Sequence, residues 1–256
     1  MKIATFNINN INKRFEVLAA WLRKARPDVV CLQELKAVQH QFPAAKLRAL
    51  GYHAVWKGQR SWNGVAILAR AEPVMTADAL PGDAEDAQSR YIEAAVKGVL
   101  VGCIYLPNGN PQPGPKFDYK LAWFERLIRH AGRLKKADIP VVLAGDLNVV
   151  PTEFDIYPNH SYADNALLQP EPRRAFSRLI RQGWTDSIRA LHPHDPQFSY
   201  WSYMRNRWPR DAGLRLDFLL LSPKCKQRLA AGGVDRWVRD LPDASDHAPV
   251  WIDLRS

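Results

Sequence analysis

The sequence predicts an α+β fold in which helices cover β-sheets, and three observations predict it. Short apolar runs rich in Val, Ile and Leu recur along the chain, two longer segments repeat apolar residues at helical spacing, and the two kinds of segment neither alternate strictly nor gather at one end. Strict alternation would have indicated a doubly wound parallel sheet, so its absence points to mixed sheets.

The runs at residues 2–9, 28–33, 64–69, 92–96, 99–105, 140–145, 216–221 and 249–254 are short and apolar almost throughout, as buried strands are. After the first of them, residues 15–26 bring Phe15, Leu18, Ala19 and Leu22 onto one helical face; residues 118–136 do the same with Leu121, Phe124, Leu127, Ile128 and Ala131. The Pro- and Gly-rich residues 107–115 and the turn-rich residues 151–174 are too long for simple connections, and residues 199–215 are irregular, basic and aromatic. Loops of this size often carry function, so substrate contacts are expected on these three.

A length of 256 residues, 46% of them hydrophobic, supports one large core, and no repeat or Ser/Gly linker divides the chain, so residues 1–256 are read as a single domain. The first residues read as a strand and not as a signal peptide, and no apolar run is long enough to cross a bilayer. Cys31, Cys103 and Cys225 are odd in number, far apart and without zinc-site spacing; the first two lie inside apolar runs, as buried thiols of a reducing compartment do. A cytoplasmic protein with no membrane contact is expected, a monomer by default. The net charge of +10 favours a polyanionic partner but does not by itself select one.

Polar residues close these strands. Asn7 ends the first run, Gln33 and Glu34 the second, Asp146 and Asn148 follow Gly145, Asp217 opens another run, and Ser245-Asp246-His247 precedes the last. Each has an ordinary explanation alone: a solvated charge for Glu34, an Asx turn for Asp146, a structural pair for Asp246 and His247. Packing does not require separate strands to deliver acids and amides at their ends, whereas a metal site does. The hard ions Mg²⁺ and Mn²⁺ take oxygen ligands from Asp, Glu, Asn and water. A cation on the non-bridging oxygens, a group that prepares water and donors for growing negative charge are what phosphodiester hydrolysis needs.

Seven motifs sharpen this reading: Phe6-Asn7-Ile8-Asn9, Leu32-Gln33-Glu34, Asn63-Gly64-Val65-Ala66-Ile67, Tyr105-Leu106-Pro107-Asn108-Gly109, Gly145-Asp146-Leu147-Asn148-Val149-Val150-Pro151, Arg215-Leu216-Asp217 and Ser245-Asp246-His247-Ala248-Pro249. In this order and over nearly the whole chain they resemble the exonuclease III family of DNA-repair nucleases, within the DNase I-like superfamily. The resemblance implies a four-layered α/β sandwich, two packed mixed β-sheets flanked by helices, with the site at one edge. It makes Glu34 the principal ligand of Mg²⁺, for which Mn²⁺ substitutes, with Asn7 and Asp246 beside the same ion. Asp146, helped by Asn148, deprotonates or orients the attacking water; His247, oriented by Asp217, holds a phosphate oxygen; Tyr105 and Asn108 add hydrogen bonds to the phosphate. The competing assignment makes His247 the general base. Asp146 is preferred, because an imidazolium held by Asp217 is a poor proton acceptor.

For the substrate, Arg90 matches a position that contacts the DNA backbone in the family, and its plain alternative is a strand-edge arginine. Residues 198–208 interleave aromatics with arginines, as surfaces that stack on sugars or bases and neutralise phosphates do. The resemblance places there a pocket for a base-free deoxyribose, with Trp201 in it and Tyr200 and Leu214 as neighbours; Leu214 departs from the aromatic residue often found in relatives specialised for abasic sites. Lys116 and Lys120 are expected on the DNA backbone, and His192 and His194 on a solvated loop. The expected partner is double-stranded DNA, especially abasic sites and 3′ ends, cut as a 3′-5′ exonuclease and as an endonuclease 5′ to abasic sites. The alternatives are a nuclease largely restricted to abasic-site incision and an inactive DNA-binding module of the same fold, which the complete set of acids and His247 disfavours.

Overall fold

Alternation along the strands decides the layering. A computed structural model describes residues 1–255, among which strands are β1 (Lys2–Asn7), β2 (Val29–Gln33), β3 (His53–Lys57), β4 (Val65–Ala69), β5 (Val74–Ala77), β6 (Tyr91–Val96), β7 (Val99–Tyr105), β8 (Val141–Asp146), β9 (Thr185–Asp186), β10 (Asp217–Leu221), β11 (Leu229–Val234) and β12 (Val250–Leu254). The helices are α1 (Phe15–Ala25), α2 (Ala44–Ala49), α3 (Pro115–Lys136), α4 (Pro170–Arg181), α5 (Ser187–Leu191) and α6 (Pro223–Lys226). The strands form two six-stranded sheets, ordered β11-β12-β1-β2-β4-β3 and β5-β6-β7-β8-β10-β9. β1–β2 and β7–β8 are parallel and their flanking pairs antiparallel, so both sheets are mixed, as the sequence predicts.

Successive side chains point to opposite faces of a strand. Ile3, Cys31 and Ile67 of the first sheet meet Val101, Cys103, Ala144 and Leu219 of the second in the core between the sheets. Their neighbours Ala4, Phe6, Val30 and Leu32 face outward onto Leu18, Trp21 and Leu22 of α1. Ile104, Leu143, Phe218 and Leu220 likewise face Trp123, Phe124 and Leu127 of α3 and Phe176 and Leu179 of α4. The result is helix, sheet, sheet, helix. Burial on both faces is the reason the central strands read as unbroken apolar runs, and each such Leu, Ile or Phe contributes roughly 1.5–3 kcal/mol.

The differences from expectation lie at edges and breakers. Strands β3, β5 and β11 are only partly covered, so their sequences lack an apolar signature. β1 stops at Asn7, two residues early, because Asn9 and Asn10 adopt left-handed backbone with φ of 47° and 86°. Residues 170–174, read as loop, begin α4; Pro170 and Pro172 suggest a break, yet proline suits a first helical turn, whose N–H groups lack helical acceptors. Pro115 starts α3 three residues early for the same reason.

Register then gathers the polar strand ends. Asn7 lies level with Gln33, Tyr105 with Asp146, and Asp217 opposite Asp146, while Val250, just after His247, lies across the first sheet from Thr5. Gly145 permits this approach: a Cβ there would stand 1.8 Å from the carbonyl oxygen of Ile104 on β7.

Candidate active site

These strand ends open into a cleft of about 860 Å³ whose lining includes Glu34, Tyr105, Asn108, Asp146, Asn148, Asp246 and His247. At its floor the buried Asn7 amide donates to Glu34 Oε1 at 3.0 Å and to Asp146 Oδ2 at 2.9 Å, holding one acid of each sheet. The Tyr105 hydroxyl donates to the same Glu34 oxygen at 2.9 Å, and Lys36 Nζ meets Glu34 Oε2 at 2.9 Å. Burial raises the Glu34 pKa, but the Lys36 charge and the hydrogen bonds from Asn7 and Lys36 outweigh it and hold the carboxyl below its ordinary range. Burial, reinforced by the Glu34 and Asp146 charges, pushes the Tyr105 hydroxyl far up, so it stays a neutral donor.

His247 Nδ1 meets Asp217 Oδ2 at 2.7 Å, and the same oxygen accepts the Ser199 hydroxyl at 2.7 Å. The other ring nitrogen, Nε2, points at Asp146 Oδ2 from 3.8 Å, too far for a hydrogen bond and near enough for charge to act. Burial penalises the imidazolium, yet Asp217, then Asp146 and Asp246, overcome it and raise the His247 pKa to about 10. Asp146 moves the other way from a normal acid: burial raises its pKa to about 7, with the His247 charge opposing and Asp217 adding to the rise. The backbone N–H of Asn148 donates to Asp146 Oδ1 at 2.9 Å, so both carboxylate oxygens are oriented.

Backbone strain concentrates here. Glu34 has φ of 51° and Asn148 φ of 44°, left-handed conformations that cost about 1–3 kcal/mol each and persist only where surrounding bonds over-determine them. Asn148 is so determined: its side chain donates to the Leu106 carbonyl at 2.9 Å and accepts from Asn108 at 3.0 Å.

The ligand atoms of Asp146, Asp217 and His247 all lie within 4.8 Å of one another, a buried group able to hold a metal ion. Within it, however, His247 and Asp217 already satisfy each other, and an imidazolium has no lone pair to give. Glu34 and Asp246 instead present carboxylate oxygens to the cleft, the kind of donor that a hard divalent cation takes. Asn7 lies buried behind this lining, its amide oxygen accepting the Asn9 N–H at 3.2 Å, and Asp246 Oδ1 accepts from the Asn9 side chain at 2.9 Å.

Of the residues expected on DNA, Arg90, Lys116 and Tyr200 line the cleft. The Arg90 guanidinium lies 4.7 Å over the Tyr105 ring, and the Tyr200 ring 4.9 Å from that of His247. Trp201 and Leu214 are corrected: both are fully buried and lie outside the cleft lining. Trp201 packs with Phe198 and Ala248, and its indole N–H donates to Asp211 at 3.0 Å. Arg236, from another segment, covers both Trp201 and Trp208 at 5.0 and 5.4 Å, so much of the aromatic-arginine pattern is a stack that holds the loop in place. Lys120 is corrected as well, being wholly buried with its ammonium on backbone carbonyls. His194 is exposed, while His192 is half-buried against the Gly232 carbonyl.

Sequence reading passed over Lys36, Asn9, Ser199 and the cleft-lining Trp62. A signal existed for the first two: each lies two residues beyond a selected strand end, where a left-handed turn returns the chain to the cleft.

Two mixed sheets packed face to face, with carboxylates from both at one edge and a buried His–Asp pair between them, define a hydrolase of phosphate esters. The model of the Endonuclease/Exonuclease/phosphatase family matches residues 4–247, and the chain belongs to that family, among its exonuclease III nucleases. Exodeoxyribonuclease III of Haemophilus influenzae is 33% identical over 267 residues, covering 100% of both chains. Among solved structures, a 3′ phosphatase from Neisseria bound to a product DNA hairpin superposes with a TM-score of 0.96 at 36% identity, covering 100% of both chains. An AP endonuclease from Archaeoglobus fulgidus gives a TM-score of 0.95 at 31% identity, again over 100% of both chains.

Proposed function

We propose that the chain is a Mg²⁺-dependent nuclease, Mn²⁺ substituting, that removes nucleotides from 3′ ends of duplex DNA and incises the strand 5′ to abasic sites. The observation that carries this reading is geometric: Asp146 Oδ2 and His247 Nε2 face each other 3.8 Å apart in a cleft that also presents Glu34 and Asp246. Glu34, Asn7 and Asp246 would hold the ion, which supplies positive charge to the non-bridging oxygens. Asp146 takes the proton of the attacking water, a role suited to a base with a pKa of about 7. As the water oxygen bonds to phosphorus and the bond to a sugar oxygen breaks, His247 donates an Nε2–H hydrogen bond to a non-bridging oxygen, Asp217 keeping the ring charged, and the departing sugar oxygen takes a proton from solvent in the open cleft. Tyr105 and Asn108 donate to the same phosphate, and Asn148 holds Asp146.

The charge of +10, with Arg90 and Lys116 at the cleft, supports a duplex partner, as do the names of the relatives. Among the described residues no helix is long and apolar enough to cross a membrane. Three buried free thiols support a reducing, cytoplasmic setting for one catalytic domain, residues 1–256, acting as a monomer.

The test incubates purified protein with a duplex carrying one abasic site and with a duplex carrying a recessed 3′ end, each with Mg²⁺ and with EDTA. Mg²⁺-dependent cleavage of both is expected. No metal-dependent product from either overturns the nuclease reading; cleavage of one alone restricts it to that substrate.

A further inference from the structure

Lys120, unlike the other lysines of α3, faces inward and is wholly buried. Its Nζ donates to the carbonyl oxygens of Asn108 at 3.0 Å, Asn148 at 2.6 Å and Ala166 at 3.0 Å. An ammonium has three N–H donors and a neutral amine two, so three acceptors around one nitrogen call for the charged form, saturate it and leave no donor for DNA. Burial works against that charge. The three carbonyls satisfy it.

The three carbonyls belong to three different segments: the loop after β7, the turn after β8 and the loop before α4. Each segment contributes a side chain to the cleft, namely Asn108, Asn148 and, next to Ala166, Leu167. Local bonds already stitch these segments in pairs. Asn108 donates to Asn148 at 3.0 Å, and the Asn110 side chain accepts from the Ala166 N–H at 2.9 Å. Lys120 ties all three to one point of α3. Gly109 marks how closely the loop lies on the lysine stem, since a Cβ there would stand 2.6 Å from Lys120 Cδ.

We propose that Lys120 is a positioning residue: its buried ammonium pins the Asn108, Asn148 and Ala166 carbonyls together and so fixes Asn148, and through it Asp146, against the scissile phosphate. This rests on the nuclease reading above. The lysine touches neither DNA nor metal. It acts on the Asn148 backbone, whose carbonyl accepts from Lys120 at 2.6 Å and whose N–H donates to Asp146 Oδ1 at 2.9 Å.

The experiment compares Lys120→Met, Asp146→Ala, the double variant and Phe124→Leu on the recessed-end duplex with Mg²⁺, recording kcat, KM and the thermal midpoint. Phe124 lies one turn further along α3 in the core and reports loss of stability without loss of the pin. Lys120→Met is expected to lower kcat on the order of 100-fold with KM changed less than about threefold, because displacement of an oriented group acts on turnover. The double variant is expected to be no more than about threefold slower than Asp146→Ala, since coupled residues are not additive. Phe124→Leu, measured well below its midpoint, is expected to keep the wild-type kcat. Should Lys120→Met not fold, Lys120→Gln, which keeps two N–H donors, takes its place with a smaller loss of kcat. An unchanged kcat, or losses that multiply in the double variant, overturns the proposal. If the wild-type protein cleaves neither duplex, the nuclease reading falls instead, so the two failures are distinguishable.

Discussion

His247 and His130 each meet a buried carboxylate at 2.7 Å, Asp217 in the first case and Glu93 in the second. The contacts are alike in length, burial and chemistry. They differ in what is left over. In the His130 pair, the Tyr91 hydroxyl reaches both partners, and Thr76, on the exposed edge strand β5, donates to the other Glu93 oxygen at 3.2 Å. Every one of these contacts falls on His130 Nε2 or on the Glu93 carboxylate, and neither residue lines the cleft. His247 spends Nδ1 on Asp217 and keeps Nε2 at the cleft, facing Asp146, the register partner of Asp217 on β8. A buried His–carboxylate pair is therefore not in itself a catalytic signature; a free second nitrogen on an open cleft is what separates the two.

The largest expected effect breaks the site side of this comparison. Asp146→Ala removes the proposed base and is expected to lower kcat by about 10³–10⁴-fold, and His247→Gln removes one charge-stabilising donor for a loss of about 10²–10³-fold, both read as initial rates on the recessed-end duplex. Rates within about tenfold of wild type for both would place the chemistry elsewhere.

A second, smaller effect sharpens the comparison through pH. With the His247 pKa raised to about 10, the stabilisation from its pairing is fully present below about 6.5 and is lost as pH rises through about 10. Turnover should accordingly rise through about 7, as Asp146 loses its proton, and fall through about 10, as His247 loses its own. Asp217→Asn removes the charge that raises both values, so both limbs of the kcat profile should move to lower pH, with a loss of roughly tenfold at pH 8. A profile identical to wild type would show that Asp217 does not hold the ring in its charged form.

The smallest effect on turnover tests the other pair. Glu93→Gln leaves His130 without its carboxylate and is expected to cost about 1–3 kcal/mol in urea unfolding while kcat, measured well below the midpoint, stays within about twofold. A large kcat loss there would erase the distinction drawn between the two pairs.

Much of the site was legible in the chain because its polar residues interrupt apolar runs at strand ends, where register along the central strands must bring them to one edge. Trp201 and Lys120 were misplaced for the opposite reason. An aromatic or a lysine carries no local mark of which way it faces when the segment is irregular, or when three distant carbonyls rather than solvent receive the charge. Edge strands β3, β5 and β11 escaped because half-covered strands need no apolar face, and α4 because its prolines mark a start as well as a stop.

By itself the sequence determined the mixed α+β class and the chemical types at the cleft, since apolar runs, helical spacing and strand-end acids are local properties, and its ordered motifs carried the resemblance to the family. Tertiary structure alone decided which acid meets which imidazole and which nitrogen stays free. Asp217 and His247 lie 30 residues apart, and Asn7 and Asp146 lie 139 apart. Their meeting depends on the packing of two sheets from whose opposed ends they project, and the pKa values that separate base from clamp arise only when water is excluded from that meeting point.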